Sequence, residues 1–204
     1  MYDMYAPRVG DAELKLPYEN AGDLVIEGLA PRGKEYHALL RKGFDEGWVD
    51  VCETTGKRSG AYSTGIYGIH PFALLNYQQT THDVFTIAHE MGHSLHTYFS
   101  NTNQPYAKAD YRIFVAEVAS TVNEVLLLKH ILSTTEDPAL KKYLLNYYID
   151  TIRTTLHRQT MFAEFEAIAH EMVEKGQPLT SENLCEVYLG LNKKYYGDSI
   201  VHDK

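Results

Sequence analysis

No stretch of this sequence is apolar for long enough to cross a membrane. The longest apolar runs, such as Val125-Leu126-Leu127-Leu128, fall far short of the roughly 18 residues that a spanning helix needs. The start, Met1-Tyr2-Asp3-Met4-Tyr5, lacks the basic residues and apolar stretch of a secretory signal, so the expected location is cytoplasmic. Basic charge is the scarcer sign, with 19 Lys and Arg against 27 Asp and Glu and a net charge of −8. The basic residues form no stripe, which argues against nucleic acid and anionic membranes as main partners. Cysteine is nearly missing: Cys52 and Cys185 stand far apart, which excludes a disulfide framework and suits a reducing compartment. Cys52 has no Cys or His partner at metal-binding spacing. Internal repeats and low-complexity tracts are absent as well.

What remains is ordinary globular material. The 204 residues are 44% hydrophobic and 23% charged, enough for one large domain or two small ones with a real core. The 16 tyrosines are first of all amphipathic interface residues. Tyr18 to Leu29, after Pro17, reads as a helix that Pro31 ends, and Lys34 to Phe44 as a second. Between Thr54 and Gln79 glycines punctuate short runs rich in Tyr, Ile, Ser and Thr, which predicts two or three short strands. Helical pattern resumes at Asp83, capped by Thr81 or Asp83, and runs to about Tyr98, with a loop over Asn101 to Ala107. Tyr111 to Leu132 is a strong helix. Pro138 opens a long helical stretch to Lys175, bent or broken at Arg158 to Phe165, and a last helix capped by Thr180 or Ser181 ends near Gly197. The expected fold is mostly α, within the α+β class, with a small sheet at 54–79 just before a histidine-rich helix.

That helix carries His89-Glu90-Met91-Gly92-His93 and, three residues on, His96. Residues four apart leave the same face of a helix, so His89 and His93 can grip one ion. Glu90, one step round, stands close enough to hold a water without being a ligand. This is the HExxH arrangement, in which zinc acidifies a water and the glutamate takes the proton. Chance alone would place one HExxH in a chain this rich in His about 4% of the time, so the motif needs a third ligand to support it.

Three candidates offer that ligand: His96, His82 and an acid further along. His96 lies about 10 Å along the axis from His89, too far for an ion held between the first two, and is expected beside the ligands or on a groove wall. His82, ahead of the helix proper, is expected to be a capping or surface residue. Glu117 and Glu124 stand seven apart on one face of the next long helix, amid Phe114, Val115, Val118, Val122 and Val125. Acids in so apolar a helix are costly unless paired or metal-bound. Glu117 could ligate, and Glu124 could accept the free N–H of a liganding histidine. The plainer alternative is that both face solvent. His170-Glu171 begins like the motif but has glutamate in place of the second histidine, and His130 and His157 stand alone.

The set His89 to His96, Gln104-Pro105-Tyr106 and Phe114 to Glu124 resembles the oligoendopeptidase F family of thimet-oligopeptidase-like zinc peptidases. Gly56 to Tyr62, Leu75-Asn76-Tyr77, Arg158 to Phe165 and Lys193 to Gly197 resemble its segments too, so the likeness spans nearly the whole chain. It implies one Zn2+ per chain held by His89, His93 and Glu117, with Glu90 as general base and Glu124 supporting a ligand histidine. His96 falls among the supporting residues. The substrates implied are short peptides, cut internally, with Gly60, Ala61 and Tyr62 meeting an extended peptide as an added strand. Family members are longer on both sides, with a helical part before and a segment of His and Tyr after. Residues 1–204 then form a single catalytic-domain segment of a larger peptidase, weakly active or inactive without the remainder of its polypeptide. Tyr195 and Tyr196 belong to the preceding motif and do not replace that segment. The rival readings are a zinc carboxypeptidase, for which only Arg58 and Arg112 could meet a terminal carboxylate, and a zinc-holding peptide-binding fragment without turnover. A helical scaffold with a coincidental motif is the plainest alternative.

Overall fold

The computed structural model describes residues 12–197 and residue 201; the Met1 to Tyr5 start read above lies outside them. The chain divides into two compact units, the first Ala12–Lys141 and the second taking the residues from 142 onward.

In the first unit, α1 (Tyr18–Gly28) follows Pro17, and Pro31 sits in a 3₁₀ turn, Ala30–Arg32, that ends it as expected. Gly33 follows with φ of 95°, a left-handed conformation that glycine adopts without strain, and opens α2 (Lys34–Asp45). The three strands β1 (Val49–Asp50), β2 (Tyr62–Thr64) and β3 (Phe72–Leu74) form one sheet in the order β1-β3-β2. β1 runs parallel to β3 with Val49 opposite Ala73, and β2 runs antiparallel with Ser63 opposite Ala73. The sheet therefore begins before the expected 54–79 window. Two residues are too few to show an alternating pattern; what sets β1 is its backbone, with the carbonyls of Trp48 and Asp50 accepting from Ala73 N and Leu75 N at 2.8 Å each.

The histidine helix α3 (Thr81–Asn103) is longer than its apolar pattern suggests. Its cap is Thr80, not Thr81 or Asp83. Asp83 N donates to Thr80 Oγ1 at 3.1 Å and Thr80 N donates back to Asp83 Oδ2 at 3.0 Å, a reciprocal pair that satisfies two otherwise orphaned donors. At the far end the helix runs on through Thr102 and Asn103, residues expected to be loop, whose side chains bond back to the carbonyls of Tyr98 and Phe99. Pro105 then precedes a single turn, α4 (Tyr106–Ala109), and α5 (Ile113–Thr134) follows. His82, expected ahead of the helix, lies in its first turn and is exposed.

The core of this unit is the packing of α3 on α5, with α1 against both. Ile87, Met91 and Leu95 from α3, Leu127 and Ile131 from α5 and Val25 from α1 are buried in it. The closest approach is at Gly92. A Cβ there would stand 2.7 Å from Ser120 Cα and 2.9 Å from Ala119 O, so only glycine lets the two backbones come this near. A buried polar contact fixes the register: Asn123 Nδ2 donates to the Ala88 carbonyl at 3.0 Å and to Tyr36 Oη of α2 at 2.7 Å.

α6 (Pro138–Ile152) leads into the second unit, where a π-helical turn, Arg153–His157, joins it to α7 (Arg158–Glu174). The break expected within Arg158 to Phe165 therefore falls just ahead of it. Thr151 and Thr154 bond back to the carbonyls of Tyr147 and Asp150, competition for helical acceptors that distorts a helix locally. α8 (Ser181–Tyr196) is capped by Thr180, and Tyr195 Oη and Lys194 Nζ both donate to Glu164 of α7, at 2.8 and 2.5 Å. Cys52 and Cys185 are free and exposed. No helix among the described residues is long and apolar enough to cross a membrane.

The Gly92 contact predicts that Gly92→Ala costs about 1–3 kcal/mol through backbone overpacking. Gly190→Ala, on α8 where nothing lies within 4 Å of the added methyl, should instead gain about 0.5–1 kcal/mol of helix stability. Urea unfolding of the two variants followed by circular dichroism checks the opposite signs.

Candidate metal centre

α3 contributes His89, Glu90 and His93, and α5 contributes Glu117 and Glu124. The Nε2 atoms of His89 and His93 are 3.2 Å apart. Glu117 Oε2 completes a triangle with them, 3.4 Å from His89 Nε2 and 3.5 Å from His93 Nε2. Among the described residues this is the one group of three His, Cys, Asp or Glu side chains whose donor atoms converge enough to hold an ion. The separations suit a particular ion. Ligands about 2.0–2.1 Å from a tetrahedral centre stand about 3.3 Å from one another, and those are the bond lengths of zinc to His and carboxylate. The larger Ca2+, with bonds of about 2.3–2.6 Å and a preference for oxygen alone, fits neither the size nor the donors.

Glu124 sets the tautomer. Its Oε1 is 2.5 Å from His89 Nδ1, so Nδ1 carries the hydrogen and Nε2 presents its lone pair into the triangle. Burial pulls the His89 pKa down, but the Glu124 hydrogen bond and the charges of Glu124, Glu90 and Glu117 together raise it above the ordinary value. His93 is shifted the other way, by burial first and then by the neighbouring His89.

Glu90 is buried, and its Oε2 has no hydrogen-bond partner. Burial raises its carboxyl pKa, with the nearby His89 opposing and Glu117 and Glu124 adding to the rise. A buried carboxylate oxygen without a partner is costly, and it stands on the helix that holds both histidines. His96 takes no part in the triangle. Its ring stacks on Tyr111 with centroids 3.8 Å apart, its Nδ1 is buried without a partner, and burial lowers its pKa.

The apolar surroundings expected for the two acids prove unequal. Glu124 is mostly buried, with 18% of its side chain exposed, whereas 62% of Glu117 is exposed. Phe114, Val118 and their neighbours on α5 are exposed too, so it is the facing histidines, and not an apolar enclosure, that account for Glu117. Ser120 Oγ donates to Glu117 Oε2 at 2.7 Å. Neither Ser120 nor Asn123 was singled out from the sequence, although two small polar residues flanking helix-packing positions in an apolar helix were a visible signal.

The sheet reaches the same helix. Ser63 of β2 and Ser94, next to His93, share a hydrogen bond of 2.8 Å. β2 is an edge strand, with Tyr62 and Thr64 exposed. Gly60, with φ of 87°, gives its carbonyl to Asn76 Nδ2 at 2.8 Å, and Ala61 is half-buried, so the exposed edge proper starts at Tyr62. His130 lies 3.8 Å from Glu27 on α1, and in the second unit the His170-Glu171 pair is exposed with Glu171 joined to Lys175.

A profile of peptidase family M3 matches residues 8–204. The chain belongs to peptidase family M3. Among curated relatives, "Oligopeptidase PepF" of Bacillus subtilis is 50% identical over the whole chain, which covers 30% of that relative. A solved "putative peptidase" from Chlamydophila abortus superposes with a TM-score of 0.85 at 46% identity, over all of this chain and 34% of the other. The solved oligoendopeptidase-F of Enterococcus faecium gives a TM-score of 0.62 at 36% identity, over all of this chain and 28% of that one. The chain thus spans about a third of the length of the relatives it matches. The mostly helical fold with its small sheet is that of these peptidases.

The triangle predicts one tightly held zinc per chain. His89→Ala and His93→Ala should each abolish stoichiometric binding, while His96→Ala should retain it. Metal analysis after dialysis against a weak chelator reads all three.

Proposed function

We propose that this segment is the catalytic part of a zinc-dependent oligoendopeptidase that hydrolyses short peptides. The observation that carries the reading is the convergence of two imidazole nitrogens from α3 and one carboxylate oxygen from α5 at tetrahedral spacing, beside a buried glutamate of α3 whose Oε2 has no partner. Membership of the M3 family and the oligopeptidase names of the relatives support the substrate class.

His89, His93 and Glu117 would hold the ion, three protein ligands that leave one position open, as catalytic rather than structural sites do. When bound, zinc would make water acidic enough to attack at neutral pH and would polarise the peptide carbonyl. Glu90, acting as general base, takes the proton of the attacking water and passes it to the departing amine. Its burial suits this work, because a carboxylate of raised pKa is a stronger base toward that proton. Glu124 keeps His89 in the one tautomer that can ligate. The exposed edge of β2 around Tyr62, tied to α3 through Ser63 and Ser94, is where an extended peptide would add as a strand beside the centre. Gly60 and Ala61 would shape the approach to that edge.

The chain spans about a third of its relatives, so full turnover is proposed to draw on the remainder of such a polypeptide, including a donor to the developing oxyanion. Loss of one such donor alone costs about 10²–10³ in rate.

Incubation of an end-blocked fluorogenic oligopeptide with the zinc-loaded chain should give slow internal cleavage that a chelator stops. Glu90→Gln should keep the zinc yet lower turnover by about 10²–10⁴. Cleavage that survives Glu90→Gln, or that occurs only on peptides with a free C-terminus, would contradict the reading.

A further inference from the structure

Ser120 is fully buried on α5, at the point where Gly92 of α3 lies against its backbone. Its Oγ stands 3.1 Å from the Glu117 carbonyl and 2.7 Å from Glu117 Oε2. The carbonyl is the acceptor that a helical serine ordinarily uses, but here Thr121 Oγ1 already donates to it at 2.5 Å. A hydroxyl has one proton to give. The shorter contact, to an ionised oxygen, is the stronger one and takes it.

The oxygen so held is the one that faces His89 Nε2 and His93 Nε2 at 3.4 and 3.5 Å. Glu117 is a long side chain, 62% exposed, with several rotamers open to it in solvent. Holding it inward needs a fixed partner, and Ser120 is one: it is buried and helical, and its backbone lies against Gly92.

We propose that Ser120 is a positioning residue of the metal centre, whose hydroxyl selects the Glu117 rotamer that turns Oε2 toward the two histidines. This rests on the metal-site reading above.

The test is zinc affinity, measured by competition with a chromophoric chelator, in a double-mutant cycle of Ser120→Ala and Glu117→Ala. Alanine keeps the Cβ, adds no bulk against Gly92 and favours helix, so unfolding of the metal-free chain should stay near that of the parent. Ser120→Ala should weaken zinc binding about 10- to 100-fold, the usual size of such outer contacts. In the Glu117→Ala background the same change should leave the remaining affinity unaltered, because the hydroxyl then has no ligand to hold. Unchanged affinity in Ser120→Ala, or an equal loss in both backgrounds, would overturn the inference while leaving the metal site standing. A parent chain that binds no zinc would remove both.

Discussion

The approach of α3 to α5 at Gly92 is the constraint on which the site depends. Two helices with ordinary side chains at their crossing stay about 8–10 Å apart, whereas here a single missing Cβ lets one backbone rest on the other, 2.7 Å from where that atom would be. His89 and His93 project from one side of this contact, and Glu117 and Glu124 from the other. The spacing of three donor atoms at 3.2, 3.4 and 3.5 Å rests on this backbone packing. Asn123, fastened to the Ala88 carbonyl and to Tyr36, keeps the two helices from sliding along each other. A slip of one residue would move α5 by about 1.5 Å and rotate both acids off the histidines.

Around that contact the polar groups are arranged in layers. His89 and His93 face the centre, Glu124 and Ser120 each hold one of the three donors, and Asn123 anchors the helix that bears them. Glu90 stands apart from this order as a buried acid with an oxygen left over. Unsatisfied groups of that kind are expensive, and they persist where chemistry uses them. The edge strand β2 is bonded to the helix one residue beyond His93, so a peptide laid along it would run beside the centre.

How much of this was legible in the sequence depends on the reach of each interaction. His89, Glu90 and His93 were readable because their relation is set by one helical turn, within five residues. Glu117 was readable as an acid in an apolar segment, though for a partly mistaken reason: its apolar neighbours Phe114 and Val118 are exposed. Ser120, Asn123 and Tyr36 act across helices, and nothing in their local spacing reveals that Tyr36 meets a residue 87 positions away. β1 escaped for a related reason, since two residues become a strand only through the backbone of β3. The end of α3 was missed because Thr102 and Asn103 are polar and poor helix formers, so nothing in their local pattern reads as helix. The Glu164 contact with Lys194 and Tyr195 joined two segments that looked separate as motifs.

The central claim is that the centre is a tetrahedral zinc site of two imidazoles and one carboxylate oxygen, shaped by the helix packing. X-ray absorption at the zinc edge of the loaded chain tests it most directly. The account predicts two imidazole nitrogens at about 2.0–2.1 Å and oxygen at about 2.0–2.2 Å, with no sulfur and four ligands in all. A third imidazole in the shell would bring His96 or another histidine into the centre and contradict the account, as would a six-coordinate, all-oxygen environment.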